Sequence, residues 1–141
     1  MVWDARDASV LVFGGLDDKG KALNDLWAYN TSTGNWTELT PPTVTPAAGN
    51  CGATPAPRMD AAMIWDSIHQ QVLLYGGMDA NNNYIGDLWS FDPSAKVWTA
   101  LQCSGNSPGA RSSNAVWDGQ HMVLLGGVYW YHDPGQANKI K

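Results

Sequence analysis

Short apolar runs bounded by turn residues recur along the whole chain, and no window keeps a helical period. The clearest stretch runs from Met59 to Leu101. Met59–Trp65 is apolar and closes on Asp66, whose short side chain suits a turn. Gln71–Tyr75 is a compact Val/Leu-rich strand that ends in two glycines. Over Asp87–Asp92, Trp89 and Phe91 alternate with Leu88, Ser90 and Asp92, and Val97–Leu101 alternates again about Trp98. The connections 66–70 and 92–96 have hairpin length, so this stretch predicts a four-stranded antiparallel meander.

The same pattern occurs three times. Trp3-Asp4, Gly14-Gly15, Asp25-Leu26-Trp27 and Trp36-Thr37 recur 62 residues later as Trp65-Asp66, Gly76-Gly77, Asp87-Leu88-Trp89 and Trp98-Thr99. Residues 3–39 align on 65–101 without a gap, and 14 of 37 positions are identical. Trp117-Asp118 and Gly126-Gly127 mark a third copy, offset by 52 and then 50 residues, so its first turn is two residues shorter. A repeat of this length denotes one supersecondary unit stacked on its neighbours.

An apolar strand ending in Gly-Gly, then an aromatic, then a tryptophan seven residues further on resembles the kelch repeat. The residues that carry the resemblance are Gly14, Gly15, Tyr29 and Trp36, then Gly76, Gly77, Phe91 and Trp98, then Gly126 and Gly127. Arg58 and Arg111, heading the first strands of the second and third units, also look like that family. The resemblance implies an all-β fold: part of a kelch-type β-propeller, about two and a half four-stranded antiparallel blades. Blade 1 is expected over about 1–39, blade 2 over about 58–101, a half blade over about 111–127 and a tail over 128–141. The first unit lacks the arginine, and the third has neither aromatic nor tryptophan after its glycines. The tryptophan-aspartate propeller repeat fits less well, since its period is about 40–45 residues and its Gly-His partner is missing here. An arc of this length leaves terminal faces unpacked, which suggests a piece of a longer propeller or, alternatively, copies assembled into a ring.

Composition narrows the function. Eight tryptophans, fifteen glycines and eight prolines in 141 residues suit many short strands around large core pieces. The net charge of −5 and the absence of any Lys/Arg cluster argue against a nucleic-acid partner. The apolar runs fall far below the roughly 18 residues of a membrane span.

Most conspicuous residues read as structural. The glycines permit close backbone approach, the tryptophans pack between sheets, and Asp25 and Asp87 satisfy backbone donors. Arg58 and Arg111 read first as bridges between blades and second as contacts for an anionic ligand. Strand polarity puts loops 16–24, 78–86, 40–57 and 102–110 on one end of the blades. Asp79, Asn81, Asn82, Asn83 and Tyr84, with the two arginines, are therefore the candidate ligand contacts. The partner expected is a protein or a glycan, and the function expected is a binding scaffold.

The rival reading is a fragment of a propeller enzyme, either a sugar-processing enzyme or a copper oxidase resembling galactose oxidase. Tyr129, Trp130, Tyr131 and His132 lie on the correct end for a copper site, but His69 and His121 lie on the other. No catalytic set is recognisable and no cofactor is expected. Cys51 and Cys103 occupy matching loops, so a disulfide between them is a candidate and would favour an extracellular location.

Overall fold

The computed structural model describes residues 1–40, 52–102 and 108–128, together with the backbone of Trp130–Tyr131 and Lys139–Ile140. These residues are all β, with no helix among them. Strands β1 (Val2–Asp4), β2 (Ser9–Leu16), β3 (Ala22–Asn30) and β4 (Asn35–Glu38) form the first antiparallel sheet in sequential order. Strands β5 (Ala62–Asp66), β6 (Gln71–Tyr75), β7 (Leu88–Asp92) and β8 (Val97–Gln102) form the second. β9 (Ser112–Trp117) pairs with β10 (Met122–Val128), and β11 (Trp130–Tyr131) with β12 (Lys139–Ile140). β5 lies beside both β1 and β9, so the first strands of the three units form the inner wall of the arc.

Each hairpin turns on one carboxylate or amide. In the Trp-Asp pairs, Asp4 Oδ1 accepts the Arg6 and Asp7 amides, Asp66 Oδ1 those of Ile68 and His69, and Asp118 Oδ1 those of Gln120 and His121. The second hairpins repeat the device, with Asn30 Oδ1 capping Ser32 and Thr33 and Asp92 Oδ1 capping Ser94 and Ala95. Burial opposes ionisation of Asp66, but donors from the His69 amide, the Gln71 and His69 side chains and the Ile68 amide together hold its carboxyl below the ordinary range.

The family aromatic and the tryptophan seven residues on stand opposite each other across the outer hairpin. Tyr29 pairs with Trp36 and Phe91 with Trp98, with ring centroids 5.0 and 4.9 Å apart. Their fates differ by position in the arc. Trp98 is 5% exposed, because it also packs edge-on against Phe13 of the first sheet at 5.3 Å. Trp36, in the equivalent place, is 56% exposed, and Trp3 is 47% exposed where Trp65 is 9%. Among the described residues, the ring contact of Trp36 is with Tyr29, within its own sheet.

The core explains the difference. Met63, Trp65, Val72, Leu74, Trp89, Phe91 and Trp98 of the second sheet cluster with Leu11, Phe13 and Leu26 of the first. The second sheet brings Trp65, Trp89, Phe91 and Trp98 to this joint, and the first sheet meets them with Leu11, Leu26 and Phe13. Trp3 and Trp36 of the first sheet and the half blade's Val116, Val123 and Leu125 have no such mate among the described residues.

Candidate ligand site at the mouth of the arc

Arg58 fastens two blades at once. Its amide donates to the Leu23 carbonyl at 2.9 Å and its carbonyl accepts the Gly15 amide at 2.9 Å, both in the first sheet. Its fully buried guanidinium turns the other way, donating to the Gly76 carbonyl at 3.0 Å and to both oxygens of Asp87, Nη2 to Oδ2 at 2.9 Å. Asp87 Oδ2 also accepts the Trp89 indole N–H at 2.8 Å. The clamp recurs one unit on, where the Arg111 amide donates to Ile85 at 3.1 Å and its carbonyl accepts the Gly77 amide at 3.0 Å. Arg111 Nη1 reaches the Gly126 carbonyl at 3.3 Å, while Nε and Nη2 hold the carbonyls of Gly109 and Pro108.

The double glycine makes room for this clamp. A Cβ on Gly14 would stand 2.7 Å from the Leu23 oxygen and nearer still to that of Arg58, and one on Gly76 would strike the Arg111 carbonyl. At Gly126 a Cβ would meet nothing within 4 Å.

An open cleft of about 550 Å³ lies at this end of the inner wall. Asp60, Ser112, Ser113 and Asn114 supply its polar lining, and Met1, Phe13, Leu125 and Val128 its large apolar lining. Asp60 stands in the left-handed region at φ 55°, and its carbonyl accepts the Ser112 hydroxyl at 3.0 Å. Such strain persists only where surrounding contacts impose it and often marks a working site. The Ser113 hydroxyl oxygen is buried with no hydrogen-bond partner, an uncommon state for a polar group. Neither residue was singled out by the sequence patterns. The signal available was positional, since Asp60 and Ser113 each follow a repeat arginine by two residues.

The loop candidates lie at the same end, beyond the glycine pairs, but their polar groups are largely engaged with one another. Asp79 Oδ1 accepts the Asn81 and Asn83 amides at 2.8 Å, and Oδ2 accepts Asn83 Nδ2 at 2.9 Å. The Asn83 side chain and amide, with the Asn81 amide, hold the Asp79 carboxyl below its usual range. Asp17 organises loop 16–24 in the same way, accepting the Lys19 and Lys21 amides, with Gly20 where Asn82 stands. Asn81, Asn82 and Asn83 are exposed and Tyr84 is half-buried. The structure therefore brings Arg58 and Arg111 to the blade joints and leaves the asparagines on an exposed tip.

His69 and His121 lie at the opposite, short-turn end, their Nδ1 atoms 2.7 and 3.3 Å from Asp66 and Asp118. Among the described residues, no three His, Cys, Asp or Glu side chains converge as a metal would require. No described helix is long and apolar enough to cross a membrane. Cys51, Cys103, Tyr129 and His132 lie outside the described residues, as do the side chains of Trp130 and Tyr131.

Successive antiparallel four-stranded sheets joined face to face around an inner wall of first strands define a β-propeller segment. The family follows from the sequence: residues 49–140 match the KLHDC2/KLHL20/DRC7 Kelch-repeats domain and residues 9–43 match the Kelch motif, so the chain belongs to the kelch-repeat family. It is 30% identical over 131 residues to the Schizosaccharomyces pombe Tip elongation aberrant protein 1, covering 88% of this chain and 10% of that protein. It is 27% identical to the Chlamydomonas reinhardtii Dynein regulatory complex subunit 7 over 84% of this chain and 10% of the relative. With the human Kelch domain-containing protein 3 it shares 29% identity over 73% of this chain and 26% of the relative. The chain thus spans a minor part of each of these proteins.

Proposed function

We propose that this kelch segment is a protein-interaction scaffold that receives its partner at the cleft lined by Asp60, Ser112, Ser113 and Asn114. The observation that carries the reading is the Ser113 hydroxyl, the one buried side-chain polar atom without a hydrogen-bond partner among the described residues, in a cleft shared with an exposed Asp60 at positive φ. A partner offering hydrogen-bond donors or a cation to Asp60 and an apolar group to Phe13 and Leu125 complements that lining. The exposed tips carrying Asn81, Asn82 and Asn83 form an outer rim, placed by the Asp79 turn on a rigid blade. One relative bears the name of a subunit of a regulatory complex, in keeping with a scaffold role.

Photo-crosslinking in the cells that make the protein tests this reading. A crosslinker placed at Asp60 or Asn114 captures a discrete protein adduct, whereas one at Ser67, on the short-turn end, captures none. Adducts at Ser67 alone, or none at the cleft, contradict it.

A further inference from the structure

A carboxylate stands in the cleft with no basic side chain beside it. Asp60 is exposed and lines the cleft, with Ser112, Ser113, Asn114, Leu125 and Val128 of the third unit around it. No lysine or arginine is in that lining. The arginines heading the second and third units are engaged elsewhere. The Arg58 guanidinium is held by Asp87 and the Gly76 carbonyl, and that of Arg111 by the carbonyls of Pro108, Gly109 and Gly126. The ion pairs among the described residues join Arg6 to Asp7, Arg58 to Asp87, His69 to Asp66 and His121 to Asp118, and none reaches Asp60.

The backbone sets this side chain at the mouth. In the second unit Met59 pairs with Met78 and Ala62 with Tyr75, while in the third Ser112 pairs with Val128 and Asn114 with Leu125. Asp60 and Ala61 thus lie where the third unit has Ser113 alone. An extra residue of this kind bends a strand and re-aims a side chain. The bend is held from two sides. The Ser112 hydroxyl donates to the Asp60 carbonyl at 3.0 Å. On the other side, a Cβ at Gly77 would stand 2.6 Å from the Met59 oxygen and 3.2 Å from Ala61 Cα, so any side chain there would collide with the bent strand. Aspartate is among the residues that tolerate the φ of 55° this requires.

The lining selects among cations. A carboxylate in one cleft with the exposed Asn114 amide offers several acceptor oxygens, which suit the planar fork of a guanidinium better than the point charge of an ammonium. A guanidinium is also the more weakly hydrated, and an arginine stem has Leu125 and Val128 to lie along. The net charge of −5 favours the approach of a basic partner. We propose that Asp60 is the recognition residue for an arginine side chain of the protein partner. This rests on the reading of the cleft as the partner's site and adds the charge it selects.

The probes are acetyl-Leu-Arg-Leu-amide and its citrulline and lysine counterparts, titrated into the full chain while the Ser113 and Asn114 backbone amides are followed by NMR. Citrulline keeps the shape of arginine and removes its charge. The arginine peptide is expected to bind about fivefold more tightly than the citrulline peptide, the discrimination of an exposed bidentate pair, with lysine between them. Asp60→Asn keeps a side chain suited to positive φ, brings the arginine peptide down to the citrulline value and leaves the citrulline peptide unchanged. Glu38→Gln, on the outer strand β4, alters neither, so the loss is not one of net charge. Equal binding of the arginine and citrulline peptides, an arginine preference that survives Asp60→Asn, or no saturable shift at all overturns the assignment. The two readings fail separately: crosslinked adducts at the cleft without an arginine preference refute only this one, and an Asp60-dependent preference without adducts refutes only the scaffold.

Discussion

Adding one methyl group at Gly76 puts a carbon onto the Arg111 carbonyl, at a backbone φ of 67° that L-residues seldom adopt. The same change at Gly126, at φ 60°, meets open space. Gly76→Ala is therefore expected to cost roughly 3 kcal/mol or more, from strain and collision together. Gly126→Ala should cost only about 1 kcal/mol, from strain alone. Urea denaturation of the two variants measures the difference, and equal losses would deny the clamp its close approach. Lys96 offers the opposite case. It is exposed at φ 54° in a hairpin where the first blade has Gly34. Lys96→Gly removes left-handed strain at some entropic cost, and a net gain of about 0.5 kcal/mol is expected in the same measurement.

At the scale of the element, a repeat position does not determine its own burial. Trp98→Ala empties a site bounded by Phe13 and Phe91 and should cost about 3–5 kcal/mol. Trp36→Ala, at the matching position but more than half exposed, should cost less than about 1 kcal/mol by thermal melting. The strands themselves were largely legible: β6 is Gln71–Tyr75 as its compact Val/Leu-rich run reads, because that run is bounded by the Asp66 turn and the glycine pair. Two neighbours were displaced by chemistry that alternation does not carry. β5 starts at Ala62 rather than Met59, since Asp60 takes a positive φ and Met59 bridges to Met78. β7 starts at Leu88, one residue after Asp87, whose carboxylate accepts from Arg58 and Trp89. The cleft was not legible, for its lining comes from all three units and Ser113 differs in no visible way from other serines.

The Asp66 turn makes one element pH-sensitive. Its folded carboxyl sits below the unfolded value of about 4, so the stability it contributes is present above that value and is lost as pH falls through the folded one. The urea midpoint should therefore drop on going from about pH 5 to about pH 3, and drop less in Asp66→Asn.

Across the whole molecule, stability is carried by joints between blades rather than by any blade alone. The backbone half of the clamp is made twice, by Arg58 on Gly15 and by Arg111 on Gly77, and among the described residues no arginine carbonyl accepts the Gly127 amide. Amide hydrogen exchange reads those three positions directly under native conditions. The Gly15 and Gly77 amides are expected to exchange slowly, with the second sheet's core, while Gly127 exchanges fast. Equal protection at all three, or a Gly127 slower than Gly15 and Gly77, would contradict a fold held together by the arginine joint.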